Sequence, residues 1–442
     1  MSWNQLYAID LSFIAHFIIS YYWSCYRKGY RFDLWHGYLF MNFVLPNMLM
    51  LPFANSELNA IVVGRDIGGI LTVLPMVFLI TIISYAAILL GGSLWRFHLG
   101  LGLRQKATSA LEVLPRFSMI LMGSRSVLVF QTGLCLMLQG AALAYYFSQS
   151  GFGFDLRGYT FQNPALRPLA LIISNFSVLV GSHCFARYLE KKERILLLCT
   201  ILLTLGLLFF GSRGNLLAIF LSVGMCYLVK LGRKVKLLRL FAFVIVVVLI
   251  GFYLGNVRAG QYGMNDLFQM IVVLLLYGNN FSDLRDFAWV YAGWDHTLWF
   301  GKTYLAGLLS MVPRFVSQFR DTWGAGVAMD LTVGLDPSVH PGLRPGMFGE
   351  AFFNFGWPGT IVVGLIAGII LRRVDNDVKS ALLPDNPSIM KAFASTQMLS
   401  LIGAVAISSS LSSLYVTCAI YLFSWICLRF RALLVREPAR PS

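Results

Sequence analysis

Two short segments set a guanidinium at the edge of an apolar run. One is Gly211-Ser212-Arg213-Gly214-Asn215, between the apolar stretches 195–210 and 216–229; the other is Met311-Val312-Pro313-Arg314. Arg258 follows a further apolar run, and Arg344 lies in a Pro/Gly-rich stretch that leads to Gly349-Glu350-Ala351. A planar guanidinium grips phosphate through two parallel hydrogen bonds, whereas an ammonium acts as a point charge. Arginines in such places suit a phosphate or diphosphate carried by a lipid, each charge-assisted bond contributing about 1.5–3 kcal/mol. An unpaired charge at that depth costs several kcal/mol, so Arg213 requires either such a ligand or an acidic partner within the protein.

Carboxylates are the second ingredient. Glu350 precedes the turn Asn354-Phe355-Gly356-Trp357-Pro358-Gly359. It is a candidate base toward a hydroxyl, or else a partner for an arginine or a helix N-terminus. His340 is a second candidate base, against the plain alternative of a solvated loop histidine. Asp283 and Asp286 flank Arg285 and read as a positioning or ion-pair cluster.

The elements that must hold these residues are membrane helices. The 442-residue chain is 57% hydrophobic and 12% charged, with a mean hydropathy of +0.71; soluble domains carry about 25% charged residues. The fold class expected is all-α and polytopic, with about eleven transmembrane spans, because lipid offers the backbone no hydrogen-bond partner. These fall near 5–25, 37–53, 69–92, 126–147, 168–186, 195–211, 215–230, 238–256, 357–372, 390–407 and 412–428. Lys and Arg cluster at 27–31, 96–125, 187–194, 230–239, 372–391 and beyond 429, which makes those loops cytoplasmic.

That orientation places the N-terminus outside and the C-terminus inside. It divides the chain into a transmembrane region 1–256, a large extracytoplasmic loop 257–356, and a closing transmembrane region with a basic tail, 357–442. Of the basic residues left outside, all are arginine except Lys302. The net charge of +15 is accounted for mainly by the cytoplasmic loops, so nucleic acid is not an expected partner. Within the outer loop, Leu267 to Tyr277 and Phe287 to Leu309 suit interfacial helices, with Trp289, Tyr291, Trp294, Trp299 and Tyr304 at headgroup height.

Other motifs fail on context. Met1 to Tyr26 has neither a positive n-region nor a small-residue cleavage site, so a cleaved signal peptide is not expected. Gly301-Lys302-Thr303 lacks the upstream glycine of a phosphate-binding loop. The seven cysteines fall singly in or at the ends of spans, and no His-Glu-x-x-His spacing occurs. Neither a disulfide framework nor a metal or cofactor is therefore expected. The halves differ too much for an inverted-repeat transporter.

Gly211-Ser212-Arg213-Gly214, Asp283 with its following aromatic residues, Gly301-Lys302-Thr303-Tyr304, Pro313-Arg314 and the run Gly349 to Gly359 occur in this order. Together with the large outer loop they resemble the oligosaccharide repeat-unit polymerases, the Wzy-type O-antigen polymerase family. The resemblance covers about 211–370; the first 200 residues match only in being hydrophobic helices. It implies a membrane glycosyltransferase of the GT-C-like class, acting at the outer, periplasmic face of the bacterial inner membrane. Such an enzyme transfers a growing chain from undecaprenyl diphosphate to a hydroxyl of a new lipid-linked repeat, and releases the carrier diphosphate without nucleotide or metal. Arg213, Arg258, Arg314 and Arg344 would grip the diphosphate, Glu350 or His340 would act on the hydroxyl, and Asp283 and Arg285 would position it. The expected partners are undecaprenyl-diphosphate-linked oligosaccharides, the bilayer, a chain-length regulator and a flippase. An Arg–Gly spacing described in the outer loops of some members is absent from the long loop. Arg213 and Gly224 carry it, but in a turn and a span.

Two alternatives stay open. An O-antigen ligase would share the carrier, the arginine logic and the outer loop, and His340 suits it. A lipid-linked oligosaccharide flippase would instead place ionisable residues along its spans, where Asp10, His16 and His183 are among the few present.

Overall fold

A computed structural model describes residues 3–49, 68–95, 112–150, 166–210, 213–234, 283–312, 316–337, 342–383 and 385–434, with a few isolated positions besides. All the regular structure among them is helical. Among the described residues, six helical segments are long and apolar enough to cross a membrane: Thr72–Leu94, Arg125–Gln149, Pro168–Lys191, Gly346–Ala381, Ile389–Ala406 and Ser409–Ile426. Arg194–Leu208 and Leu217–Leu231 are shorter apolar helices. The polytopic helical class is as expected. The expected span 238–256 lies outside the described residues apart from isolated positions.

The chain packs as two units, each built from separate segments. The first comprises Met1–Arg104, Tyr262–Asp375 and Leu399–Leu414; the second comprises Gln105–Gln261, Asn376–Met398 and Tyr415–Ser442.

In the first unit, α1 (Trp3–Tyr21) runs into a wider π-helical turn (Tyr22–Tyr26), and α2 (Leu34–Leu39) continues as a π-helical stretch (Phe40–Leu49) around Pro46. The expected span 5–25 is thus helical throughout, with a widened last turn; of the expected span 37–53, residues 37–49 are helical and the rest lies outside the described residues. Then comes α3 (Gly68–Leu94). Its Val77, Phe78 and Ile80 pack against Phe287, Ala288 and Val290 of a later helix, and Phe352 and Phe353 complete this core. Glycines on α3 admit a close helix neighbour: a Cβ at Gly91 would meet the carbonyl of Leu365, and one at Gly368 would meet that of Ile88. Small residues at such crossings are how membrane helices gain contact where burial of apolar surface drives nothing.

The second unit opens with α4 (Val113–Met122), α5 (Arg125–Ser150), α6 (Arg167–Lys191), α7 (Arg194–Phe209) and α8 (Arg213–Leu231). Leu128 and Cys135 of α5, Val180 and Cys184 of α6, and Leu196 and Leu203 of α7 form its core. Its buried polar side chains answer one another. Ser118 Oγ lies 2.6 Å from His183 Nε2, and Gln139 donates to Ser177 Oγ at 2.9 Å.

The expected loop 257–356 is structured wherever it is described. It holds α9 (Asp283–Gly293), α10 (Lys302–Leu308), α11 (Phe319–Trp323) and α12 (Ala325–Thr332), all in the first unit. Phe287–Leu309 is therefore not one interfacial helix. His296, Phe300 and Gly301 take left-handed backbone angles and turn the chain between α9 and α10. Leu267–Tyr277 lies outside the described residues. Last come α13 (Gly346–Ala381), α14 (Ile389–Thr396), α15 (Leu399–Ala406) and α16 (Ser409–Leu434).

Two breaks interrupt helices in the first unit. Gly356 in α13 has φ 63° and ψ −150°, a region essentially reserved for glycine. The carbonyls freed before it are taken up by loop amides, Trp299 N to Phe353 O and Phe300 N to Asn354 O, both 3.0 Å. Pro358 follows in the first turn of the resumed helix, where its missing N–H costs nothing. The second break separates α15 from α16 at Ile407 and Ser408.

Candidate functional site

The charged residues of α9 meet the short strap that leads into α13. Arg285 reaches Asp286 Oδ1 through Nε at 3.2 Å and Nη2 at 3.0 Å. Asp286 is buried, and its other oxygen accepts the backbone N–H of Arg344 at 3.4 Å. One residue earlier, the N–H of Leu343 donates to Asp330 Oδ1 at 3.0 Å, from a carboxylate that is also buried. Two inward carboxylates on different helices therefore hold successive amides of the strap. Gly346 ends it with φ 72°, and a Cβ there would stand 3.2 Å from that of Asp283. The strap's path thus depends on glycine at this position.

The consequence is that Asp283 and Arg344 come within electrostatic reach of each other. Both are exposed. Burial among its neighbours and the nearby Asp286 charge push the Asp283 carboxyl up to about 6, against the pull of Arg344. Asp283 also lines a cavity of about 50 Å³, room for a few waters or a sugar hydroxyl. Asn42, Asn47 and Thr81 supply the polar part of the facing wall, and Phe43, Phe287 and Phe348 the apolar part. Arg344 directly precedes Pro345, another lining residue.

Glu350 sits elsewhere. It lies inside the first part of α13, not ahead of a helix, and is 1% exposed. Thr303 Oγ1 donates to its Oε1 at 2.6 Å, and the backbone N–H of Ser408 donates to Oε2 at 3.0 Å. Asn354 Nδ2 donates to the same Thr303 hydroxyl at 2.8 Å, and Tyr304 donates to the carbonyl of Ala406 at 3.2 Å. Glu350 and Tyr304 thus satisfy backbone groups that the α15–α16 break sets free. The geometry makes Glu350 a tether between α10, α13 and that break, with its oxygens occupied, in place of the exposed base that the sequence suggests.

The arginines expected outside divide by task. Arg320 donates to the carbonyls of Ser310 and Val312 at 2.6 and 3.0 Å, fixing the turn after α10. Arg285 is spent on Asp286. Arg213 is the first residue of α8, so the expected tight turn gives way to a helix start; its side chain is outside the described residues, as are Arg258, Arg314 and His340. Lys302 lies over the Trp323 ring at 4.3 Å, a contact worth about 0.5–1 kcal/mol where solvent reaches it.

No protein-family model, curated protein or solved structure matches this chain.

Sequence reasoning grouped Asp283 and Asp286 with Arg285, and set Arg344 apart among the diphosphate-binding arginines. It missed Asp330, Thr303 and the Asn42–Thr81 wall. A lone aspartate in the apolar run Ala325-Gly326-Val327-Ala328-Met329-Asp330 was the legible signal for Asp330, since such a group must find partners. Nothing in the sequence marks the wall.

Proposed function

We propose that this protein is a membrane glycosyltransferase that joins oligosaccharide units carried on a lipid diphosphate at the outer face of the bacterial inner membrane. The observation that carries this reading is the exposed pair Arg344 and Asp283, set beside a small polar cavity by a strap that two buried carboxylates hold in place. Transfer requires that the bond between the donor's anomeric carbon and its diphosphate oxygen breaks while the acceptor's hydroxyl oxygen bonds to that carbon. The electron pair leaves with the diphosphate, and the hydroxyl proton goes to a base. Arg344 has the geometry to neutralise a leaving diphosphate through two donors at once. Asp283, with its carboxyl raised toward neutrality, is suited to take the proton. Glu350, fully engaged in the interior, supports the helix that carries the strap.

The test uses purified protein in proteoliposomes, supplied with lipid-diphosphate-linked repeats extracted from the producing cell. Products lengthened by whole repeats, with release of the lipid diphosphate, are expected. Asp283→Asn and Arg344→Ala should each reduce extension at least a hundredfold with protein levels unchanged, about 2.7 kcal/mol of transition-state stabilisation. Arg344→Lys should recover little of it. Wild-type protein that fails to lengthen its own matched repeats would overturn the reading. Movement of unlengthened repeats across the bilayer would favour the flippase.

A further inference from the structure

Away from this site, the turn between α1 and α2 buries three groups of metal-ligand chemistry. Cys25 is in the π-helical turn, Asp33 caps α2, and His36 lies in its first turn. All three are buried, with exposures of 0, 0 and 3%. One ligand atom from each falls within 4.8 Å of the others. His36 Nδ1 is 2.7 Å from Asp33 Oδ1. A tetrahedral zinc ion with sulfur at 2.3 Å and nitrogen and oxygen near 2.0–2.1 Å sets ligand atoms roughly 3.3–3.6 Å apart. The His36–Asp33 pair is closer than that and must open by about 0.6 Å to admit the ion, which a small side-chain rotation supplies.

The surroundings of the imidazole favour an ion. His36 Nε2 faces Ser20 Oγ at 3.2 Å and Ser24 Oγ at 3.4 Å. Ser24 already gives its proton to the carbonyl of Ser20 at 2.6 Å, so it meets the ring as an acceptor. With the Nε2 proton directed at Ser24, the Nδ1 lone pair faces the Asp33 carboxylate oxygen at 2.7 Å, and a cation, a proton or a metal ion, must lie between them. Outer hydrogen bonds of this kind fix the tautomer of a metal-bound histidine. The second layer extends further: Asp375 accepts the N–H groups of Leu34 and Trp35 at 3.1 and 3.3 Å. Arg372 lies over the Trp35 ring at 3.7 Å.

We propose that Cys25, Asp33 and His36 bind a divalent ion of the zinc class, which staples the end of α1 to the start of α2. A thiolate, an imidazole and a carboxylate are the borderline donors such an ion prefers. Binding sends the Cys25 proton to solvent. Because the ligands are eight and three positions apart across a turn, no recognised spacing announces them. The site stands independently of the transferase reading.

Full-length protein without a histidine tag, purified in detergent and dialysed, should hold about one zinc ion per chain by elemental analysis. Cys25→Ala and His36→Ala should each lower that content at least fivefold, while Cys418→Ala leaves it unchanged. Should those variants fail to fold, wild-type protein serves: a membrane-permeant chelator lowers its melting temperature and added zinc restores it. Cobalt loading should give a near-ultraviolet thiolate-to-metal band that Cys25→Ser abolishes. Wild-type protein without stoichiometric metal even after zinc addition, Cys25→Ala with undiminished metal, or cobalt without the band would each overturn the proposal. Those results would leave a hydrogen-bonded clasp, with Ser20 donating to Nε2 or the ring protonated on both nitrogens.

Discussion

In the first unit, α13 breaks at Gly356, and a second break at Ile407 and Ser408 separates α15 from α16. In the second, α5, α6 and α7 run 26, 25 and 16 residues without interruption. The difference lies in what buried polar side chains are used for. Gln139, Ser177, Ser118 and His183 bond mainly to one another between helices, and at the α4–α5 junction, among the described residues, only the Gly123 carbonyl draws a side chain, that of the half-buried Arg187. Glu350, Thr303 and Tyr304 instead serve the backbone at Ala406 and Ser408. Broken helices at membrane depth persist only where protein or water satisfies the freed groups, and they are where membrane proteins build binding sites. The candidate site lies in the unit that bears this cost.

The comparison breaks most directly at Glu350. Glu350→Ala orphans the Thr303 hydroxyl and the Ser408 amide in the interior, at about 1–3 kcal/mol each. Thermal unfolding in detergent should show a larger drop for this variant than for Gly356→Ala or His183→Leu. Glu350→Gln keeps one acceptor and should lose about half as much. A Glu350→Ala protein that melts with the wild type would mean the tether is idle.

Gly356→Ala comes next. A Cβ would make only ordinary van der Waals contact, with Leu298 Cδ2 at 3.8 Å and Pro358 Cδ at 3.9 Å, so the cost is that of the backbone angles, about 1–3 kcal/mol. Resistance of this variant to any loss would show that α13 can straighten. In the second unit, His183→Leu should cost less than Glu350→Ala, about 0.5–1.5 kcal/mol for each of its hydrogen bonds, to Ser118 Oγ and to the Leu179 carbonyl. A larger loss there than at Glu350 would reverse the contrast between the units.

How far these features were legible follows from their range. Helical class and apolar spans come from composition over windows of about 20 residues, and Thr72–Leu94 or Arg125–Gln149 fall close to where hydropathy puts them. The turn of Gly356 with Pro358 was visible as a Gly/Pro signal. Invisible were contacts across long sequence separations: Glu350 with Ser408, Thr303 with Glu350, Leu343 with Asp330. A glutamate beside a predicted turn looks exposed, and only packing shows that its neighbours take both oxygens. Asp283, Arg285 and Arg344 were more readable because charge in an apolar chain is rare enough to single out.

Asp283 gives the smallest effect on stability and the sharpest on pH. Its carboxyl in the fold is raised from 3.8 to about 6, so between those values the folded chain holds a proton that the unfolded chain has lost. Stability from this group is therefore full below about 4 and declines as pH rises through about 6. Asp283→Asn should flatten that decline and melt slightly higher than wild type at about pH 7.5, the gain being small because water screens an exposed group. Transfer activity should run the other way, since a base works only when deprotonated: extension should climb through about pH 6 and level above it. Asp286, already paired with Arg285, supplies the control. Asp286→Asn loosens the strap and lowers the melting temperature, yet keeps an acidic limb in whatever activity remains. An acidic limb that persists in the residual activity of Asp283→Asn would take the base role from Asp283, and would leave Arg344 as the member of the pair engaged in transfer.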